Sequence, residues 1–274
     1  MERSDAELIR AAREGDADAL EELLERHEEQ VYRFGLRMCG SEEDARDVLQ
    51  QTLMTAFRGI HQFRGDASLS TWLYQIARSF CTKARRRKVD EPAEHVPLDA
   101  PPMLMVPTQE ADPEAVVHAR QMGQVLQAAI LALPEAYRET LILRDVEGLS
   151  AEEAARVVGI EVGALKSRLH RARSELRKHL TALLERGEAG SGHSCPELAR
   201  ELSEYAADDI DQATCVRIEQ HLERCPECRS ACDSLKRTVS LCRHVPEGEV
   251  PAPVKAAVRH ALSRLGHQAA SERS

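Results

Sequence analysis

Apolar residues recur along this chain at three- and four-residue spacing, and period-two alternation never persists, so the pattern predicts helices throughout and no sheet. One helix starts at Ser41, whose hydroxyl suits an N-cap, with Glu42, Glu43 and Asp44 in the first turn where the dipole favours acids. Its apolar face reads Ala45, Val48, Leu49, Thr52, Leu53 and Ala56, which leaves Glu43, Asp44, Asp47, Gln50 and Gln51 on the opposite side. Taken alone, such a stripe is an ordinary solvated face. A loop, HQFRGDAS, then leads into a helix from about Ser70 that is expected to bury Leu69, Leu73, Ile76, Ala77, Phe80 and Ala84. Its outward stripe is expected to carry Thr71, Tyr74, Gln75, Arg78, Thr82 and Arg85, with Trp72 on the flank. Rings interleaved with cations beside Phe63 and Arg64 suit single-stranded nucleic acid, because bases stack on rings while phosphates meet arginines.

A second helical region divides at its glycines. Leu133-Pro134-Glu135 opens a helix that Glu147-Gly148-Leu149 ends, Ser150 with Glu152 and Glu153 caps the next, and Val158-Gly159 closes it before another begins near Val162. Helix, tight turn, helix is the helix-turn-helix pattern, whose second helix enters the DNA major groove. Leu165, Leu169, Ala172 and Leu176 form an apolar seam on that helix. The opposite face carries Gly163, Ser167, His170, Arg171, Ser174 and Lys178, flanked by Lys166 and Arg168, a basic surface of small residues that can approach bases and phosphates.

Composition changes this picture in two ways. The 274 residues carry a net charge of -9, which by itself argues against a nucleic-acid partner, yet basic residues concentrate in 78–88 and 166–178. Between Val89 and Ala119 there is no Lys or Arg, and prolines and acids dominate, which marks a linker. With a second break at RGEAGSGHS, the chain is expected to fold as units at 1–90, 115–185 and 193–266, joined by an acidic, proline-rich linker at 91–114. No run of eighteen apolar residues is present to span a bilayer, and the first residues have no apolar signal core, so a cytoplasmic location without membrane contact is expected.

Six of the eight cysteines lie between Cys195 and Cys242. In a cytoplasmic chain they point to metal or redox chemistry rather than structural disulfides. His221-x3-Cys225-x2-Cys228, with Cys195 upstream, offers four N/S donors of the kind zinc takes in a tetrahedron. A redox CxxC pair and a set of unrelated cysteines are the competing readings. Cys215, Cys232 and Cys242 fall outside the four-ligand pattern, and His193 competes with Cys195.

Residues 5–182 resemble a sigma factor of the extracytoplasmic-function (ECF) type, on the stretches SEEDARDVLQQTLMTAFRGIHQFRGDASLSTWLYQIARSFCTKARRRK and LPEAYRETLILRDVEGLSAEEAARVVGIEVGALKSRLHRARSELRK. The resemblance implies an all-α fold and a promoter-specificity subunit rather than an enzyme. It implies that Asp44, Asp47, Gln50 and Gln51 bind the β' clamp helices of core RNA polymerase. It also implies that Phe63, Arg64, Trp72, Tyr74, Arg78 and Arg85 open and read the -10 element, and that Lys166, Ser167, Arg168, His170, Arg171 and Arg173 read the -35 element. Ser79 stands where many members carry Asn, and Ala164-Leu165 replaces the common Thr-Val, so a promoter sequence does not carry over. The cysteine-rich segment resembles zinc-containing anti-sigma domains. This implies one Zn²⁺ on Cys195, His221, Cys225 and Cys228, and an intramolecular contact with the sigma domains that regulates them, with VPAPVKAAVRHALSRL as the last helix. The competing functional reading is a stand-alone helix-turn-helix regulator that senses metal or redox state. An enzyme using the Cys/His site would need an open coordination position and a general base, and the sequence offers no convincing candidate.

Overall fold

The computed structural model describes residues 3–90, 113–184, 195–243 and 250–271, and every regular element among them is helical. The chain forms two compact units, Met1–Glu110 with Glu247–Ser274, and Ala111–Pro246. The segment expected as one tail module over 193–266 therefore contributes to both.

In the first unit, α1 (Asp5–Glu14) opens on a capping box between Ser4 and Glu7. α2 (Ala17–Cys39) begins at the Asp16 N-cap and stops at Gly40, whose φ of 76° is the left-handed geometry glycine adopts without strain. α3 (Glu42–Gly59) is capped by Ser41. It passes through a short 3₁₀ turn, Ile60–Gln62, and the Phe63 loop to α4 (Leu69–Asp90). α2 and α3 cross closely at Gly35, where a Cβ would stand 3.3 Å from the Ala45 Cα. Leu23, Leu24, Phe34 and Met38 of α2 pack with Leu49 and Leu53 of α3 and Leu73 of α4, all shut off from solvent.

The inner face of α4 differs from the expected one. Thr71 and Tyr74, expected on the outward stripe, are buried, and the Tyr74 ring meets Phe34 at 5.2 Å and 56°. Ile76, Phe80 and Ala84 are only half-buried. The reason is that α4 packs against both α2 and α3, so its buried arc is broader than one stripe and centred elsewhere. α12 (Ala252–Ser271) completes this unit by laying Val254, Val258 and Leu262 against α2 and α3. Burial of three such side chains contributes about 1.5–3 kcal/mol each before the entropy of ordering the helix is subtracted.

In the second unit, α5 (Pro113–Ala132) and α6 (Glu135–Leu141) are followed by one π turn, Ile142–Val146. α7 (Ala151–Val158) has a capping box between Ser150 and Glu153 and ends on left-handed Gly159. α8 (Val162–Leu184) follows after that tight turn, and Leu165, Leu169, Ala172 and Leu176 are buried along it. A 3₁₀ turn, Pro196–Leu198, then introduces α9 (Ala199–Ala206), α10 (Gln212–Arg224) and α11 (Pro226–Arg243). Leu202, Ala206, Ile218, Cys228, Cys232 and Leu235 form the core of this small bundle. Its α9 and α11 pack on α8, and α11 also meets the π turn.

Candidate nucleic-acid interface and metal centre

On α3, Asp47 and Gln51 are exposed and Gln50 is half-buried. Asp44, expected to point away from the core, is buried at 8% exposure, because the Ser41 cap tucks the first turn in and the Asp44 amide donates to the Ser41 hydroxyl at 3.3 Å. Gln50 lies in a groove of about 250 Å³ lined also by Met54 and Arg58 of α3 and by Ala261, Arg264 and Leu265 of α12. Further down the same contact, Lys255 pairs with Glu29 at 2.9 Å and Glu28 at 3.4 Å, and Arg259 pairs with Glu25 at 2.8 Å.

Phe63 is buried and stacks obliquely on Trp72 at 5.3 Å, while Arg64 is exposed at the loop tip. Trp72, Arg78 and Arg85 are half-buried. The structure thus brings Phe63, Arg64 and Trp72 together and takes Tyr74 into the core.

On α8, Arg171 is exposed and Ser167 donates to the Gly163 carbonyl at 3.0 Å. Arg168 reaches the buried Glu139 at 3.4 Å and Lys166 reaches Glu204 of α9 at 3.4 Å. His170 is half-buried with Nδ1 closed off and unbonded, and burial, then the charges of Arg173 and Arg171, hold its imidazole below the ordinary 6.5. Arg173 stands apart from the others. It is 1% exposed, binds Asp145 through Nε at 2.8 Å and Nη2 at 2.5 Å, and donates from Nη1 to the Ser203 carbonyl at 2.8 Å and hydroxyl at 3.1 Å. The π turn that carries Asp145 also presents Arg144, whose guanidinium grips Asp209 at 3.0 and 2.5 Å. Three cations of the helix-turn-helix unit therefore bond to α9 or to the loop that follows it.

The donor atoms of Cys195, His221, Cys225 and Cys228 lie within 4.8 Å of one another. His221 and Cys225 share the end of α10, where the Cys225 amide donates to the His221 carbonyl at 3.0 Å. Pro226 restarts the chain as α11, and that turn brings Cys228 back. The Cys195 amide points at the Cys228 sulfur at 3.4 Å, closing the set from the other end of the bundle. The His221 Nε2 is buried without a hydrogen-bond partner. An orphaned imidazole nitrogen among three thiols fits a metal ligand and fits little else, since such a buried atom otherwise costs about 1–3 kcal/mol. Of the spare cysteines, Cys215 faces the Glu219 carboxylate at 3.6 Å, and burial with that charge pushes its thiol up. Cys232 and Cys242 are buried. His193 lies outside the described residues.

Family models for sigma-70 region 2, for sigma-70 region 4 and for a zinc finger match residues 23–90, 123–176 and 195–229 respectively. The ECF RNA polymerase sigma factor SigW of Bacillus subtilis is 30% identical over 187 residues, which cover 67% of this chain and 100% of SigW. The chain belongs to the ECF RNA polymerase sigma factors. SigM of Mycobacterium tuberculosis is 35% identical over 65% of this sigma factor and 86% of its own length. SigE of Mycolicibacterium smegmatis is 34% identical over 61% of this chain, which spans 64% of SigE. Among solved structures, CnrH in complex with the cytosolic domain of CnrY is similar at a TM-score of 0.47 and 24% identity, covering 64% of this chain and 96% of that one. As a sigma factor the protein directs RNA polymerase to promoters in transcription initiation and is not an enzyme. It carries a zinc-finger module with a Cys3His cluster at its C-terminal side. No helix among the described residues is long and apolar enough to cross a membrane.

Several residues of this sigma factor escaped the sequence reading. Asp145 and Ser203 close around Arg173, Asp209 meets Arg144, and Glu25, Glu28 and Glu29 meet α12. The signal for the last contact was present: Lys255 and Arg259 are one turn apart beside a Val254, Val258, Leu262 seam, and α2 carries three carboxylates at matching spacing.

Proposed function

We propose that residues 193–266 are a built-in anti-sigma element that holds this cytoplasmic sigma factor in a covered state, with the 1–90 unit for core polymerase and the -10 element and the 115–185 unit for the -35 element. The observation that carries this reading is the capture of α8: Lys166 and Arg173, two members of its basic set, bond to Glu204 and Ser203 of α9. A helix whose cations are engaged by protein carboxylates and carbonyls has fewer of them left for phosphates, and DNA affinity falls steeply with each lost contact. In the other unit, α12 lies along α3 beside Gln50, next to the exposed Asp47 and Gln51 assigned to the β' clamp helices. Arg171 remains as the base- and phosphate-reading candidate on α8 that no ion pair among the described residues engages, and Phe63, Arg64 and Trp72 as the group that meets unpaired -10 bases.

The metal's part is structural. Zn²⁺ on three thiolates and one imidazole has a closed coordination sphere and supplies folding free energy rather than reactivity. Cys195 ties the entry to α9, while His221, Cys225 and Cys228 tie α10 to α11, so the ligands set the position of the helix that presents Ser203 and Glu204. Loss of a thiolate through oxidation or capture by a softer ion would loosen α9 from α8.

Run-off transcription with core polymerase tests the reading. The chain without residues 187–274 is expected to be at least tenfold more active than the full chain at equal concentration. Equal activity, or lower activity on truncation, overturns it and favours a tail that activates.

A further inference from the structure

The quartet of Cys195, His221, Cys225 and Cys228 has another metal-binding group beside it. Glu227 lies between the last two ligands in the chain, and its carboxylate meets the Cys225 sulfur at 3.3 Å. It belongs to the first turn of α11, where the helix dipole favours an acid, and no cation pairs with it among the described residues. Cys228 is shut off from solvent, whereas Cys225 is half-buried and Glu227 is exposed. Cys225 is therefore a ligand that solvent reaches and that has a spare carboxylate against it. In the loaded site Cys225 is a thiolate with no proton to share, so a hydrogen bond does not account for a carboxylate at this place. Two like charges in contact oppose each other there unless the metal can take either one.

We propose that Glu227 is a reserve ligand: when the Cys225 sulfur leaves the metal, a Glu227 oxygen takes its position and the ion stays in the tail. This rests on the quartet reading above and adds a residue to it. In the exchange the Zn–S bond breaks, the thiolate takes up a proton from solvent, and a Zn–O bond forms. One singly negative ligand replaces another, so the charge of the donor set is unchanged. Zinc accepts a carboxylate oxygen at about 2.0–2.2 Å much as it accepts sulfur at about 2.3 Å, and Glu227 stands only two residues from Cys225 across the Pro226 turn. The thiolates then carry unequal weight. Loss of Cys195 unties the entry to α9, while loss of Cys225 alone leaves α10 and α11 joined through the metal. Oxygen in place of sulfur also hardens the site, which favours zinc over softer ions.

Three full-length variants test this: Cys225→Ala, Glu227→Gln, and both together. Each is loaded with Zn²⁺ and titrated with a competing chelator, and Co²⁺ absorption reports the thiolates. Cys225→Ala is expected to keep its metal with affinity lowered by about 10- to 100-fold and with a weaker thiolate-to-cobalt band. The double variant is expected to bind at least about tenfold more weakly still. Glu227→Gln alone is expected to stay within about threefold of the unaltered chain, because removing an outer partner that only orients a ligand costs about 10- to 100-fold. A loss of that size in this variant overturns the reserve role. Equal affinities of Cys225→Ala and the double variant, or a Cys225→Ala chain that holds no metal, also overturn it. A metal-free unaltered chain refutes the quartet itself, and the proposal falls with it.

Discussion

Arg173 and Asp145 form a two-pronged ion pair at 2.8 and 2.5 Å with side chains 1% and 2% exposed, and the third nitrogen of the same guanidinium bonds to Ser203. A desolvated pair of this kind depends on both members, because removing one leaves a buried charge alone. Asp145→Ala is expected to destabilise the second unit by about 3–5 kcal/mol in chemical denaturation. Arg171→Ala, on the exposed face of the same helix, is expected to stay within about 0.5 kcal/mol and to weaken -35 duplex binding. If Arg171→Ala leaves duplex affinity unchanged, α8 does not read DNA through that face.

Tyr74 and Trp72 separate core from surface on α4. Tyr74→Ala removes a ring packed on Phe34 and is expected to cost about 3–5 kcal/mol of stability. Trp72→Ala, half-buried beside Phe63, is expected to slow promoter opening more than it lowers stability, since stacking is available only to unpaired bases. Permanganate footprinting of the open complex, beside thermal melts of both variants, checks the contrast.

The helix-turn-helix and three of the four metal ligands were legible because their signals are local. The capping box between Ser150 and Glu153, the Gly159 stop and the spacing of His221, Cys225 and Cys228 each act within a turn or two. Asp145 and Arg173 are 28 residues apart, and neither spacing nor charge pattern distinguishes Arg173 from Arg171 before α9 and the π turn are placed. Tyr74 was misassigned for a similar reason: a helical wheel shows one stripe, and two neighbouring helices bury a wider arc. The division of the tail is less legible still, because Lys255 finds its partner 226 residues away.

Zinc content and its consequences follow from the quartet. The purified chain is expected to hold one Zn²⁺, and Cys225→Ser with Cys228→Ser to hold none. Because every ligand belongs to the unit that contains α8, that variant is expected to bind -35 duplex more tightly while its core polymerase affinity stays near that of the unaltered chain. A metal-free wild-type chain, or a variant with full metal content, contradicts the ligand assignment.

The depressed imidazole of His170 carries a sign. Its folded value lies below the ordinary 6.5, so the stability it contributes is fully present above that value and is lost as pH falls through the lowered one. Denaturation of the unaltered chain from pH 7.5 downwards is expected to show this loss, and His170→Gln is expected to flatten the part due to this residue. An unchanged slope in the variant would assign the pH dependence elsewhere.

The covering of α8 by α9 is tested most directly with the tail kept in place. Glu204→Ala with Asp209→Ala removes the partners of Lys166 and Arg144 and touches neither the metal ligands nor DNA-facing residues. Affinity for a -35 duplex, measured by fluorescence anisotropy at fixed salt, is expected to rise severalfold, because Lys166 is returned to the basic face of α8 for phosphate binding. An affinity unchanged from the full chain, with the bundle still folded and zinc still bound, would contradict the account.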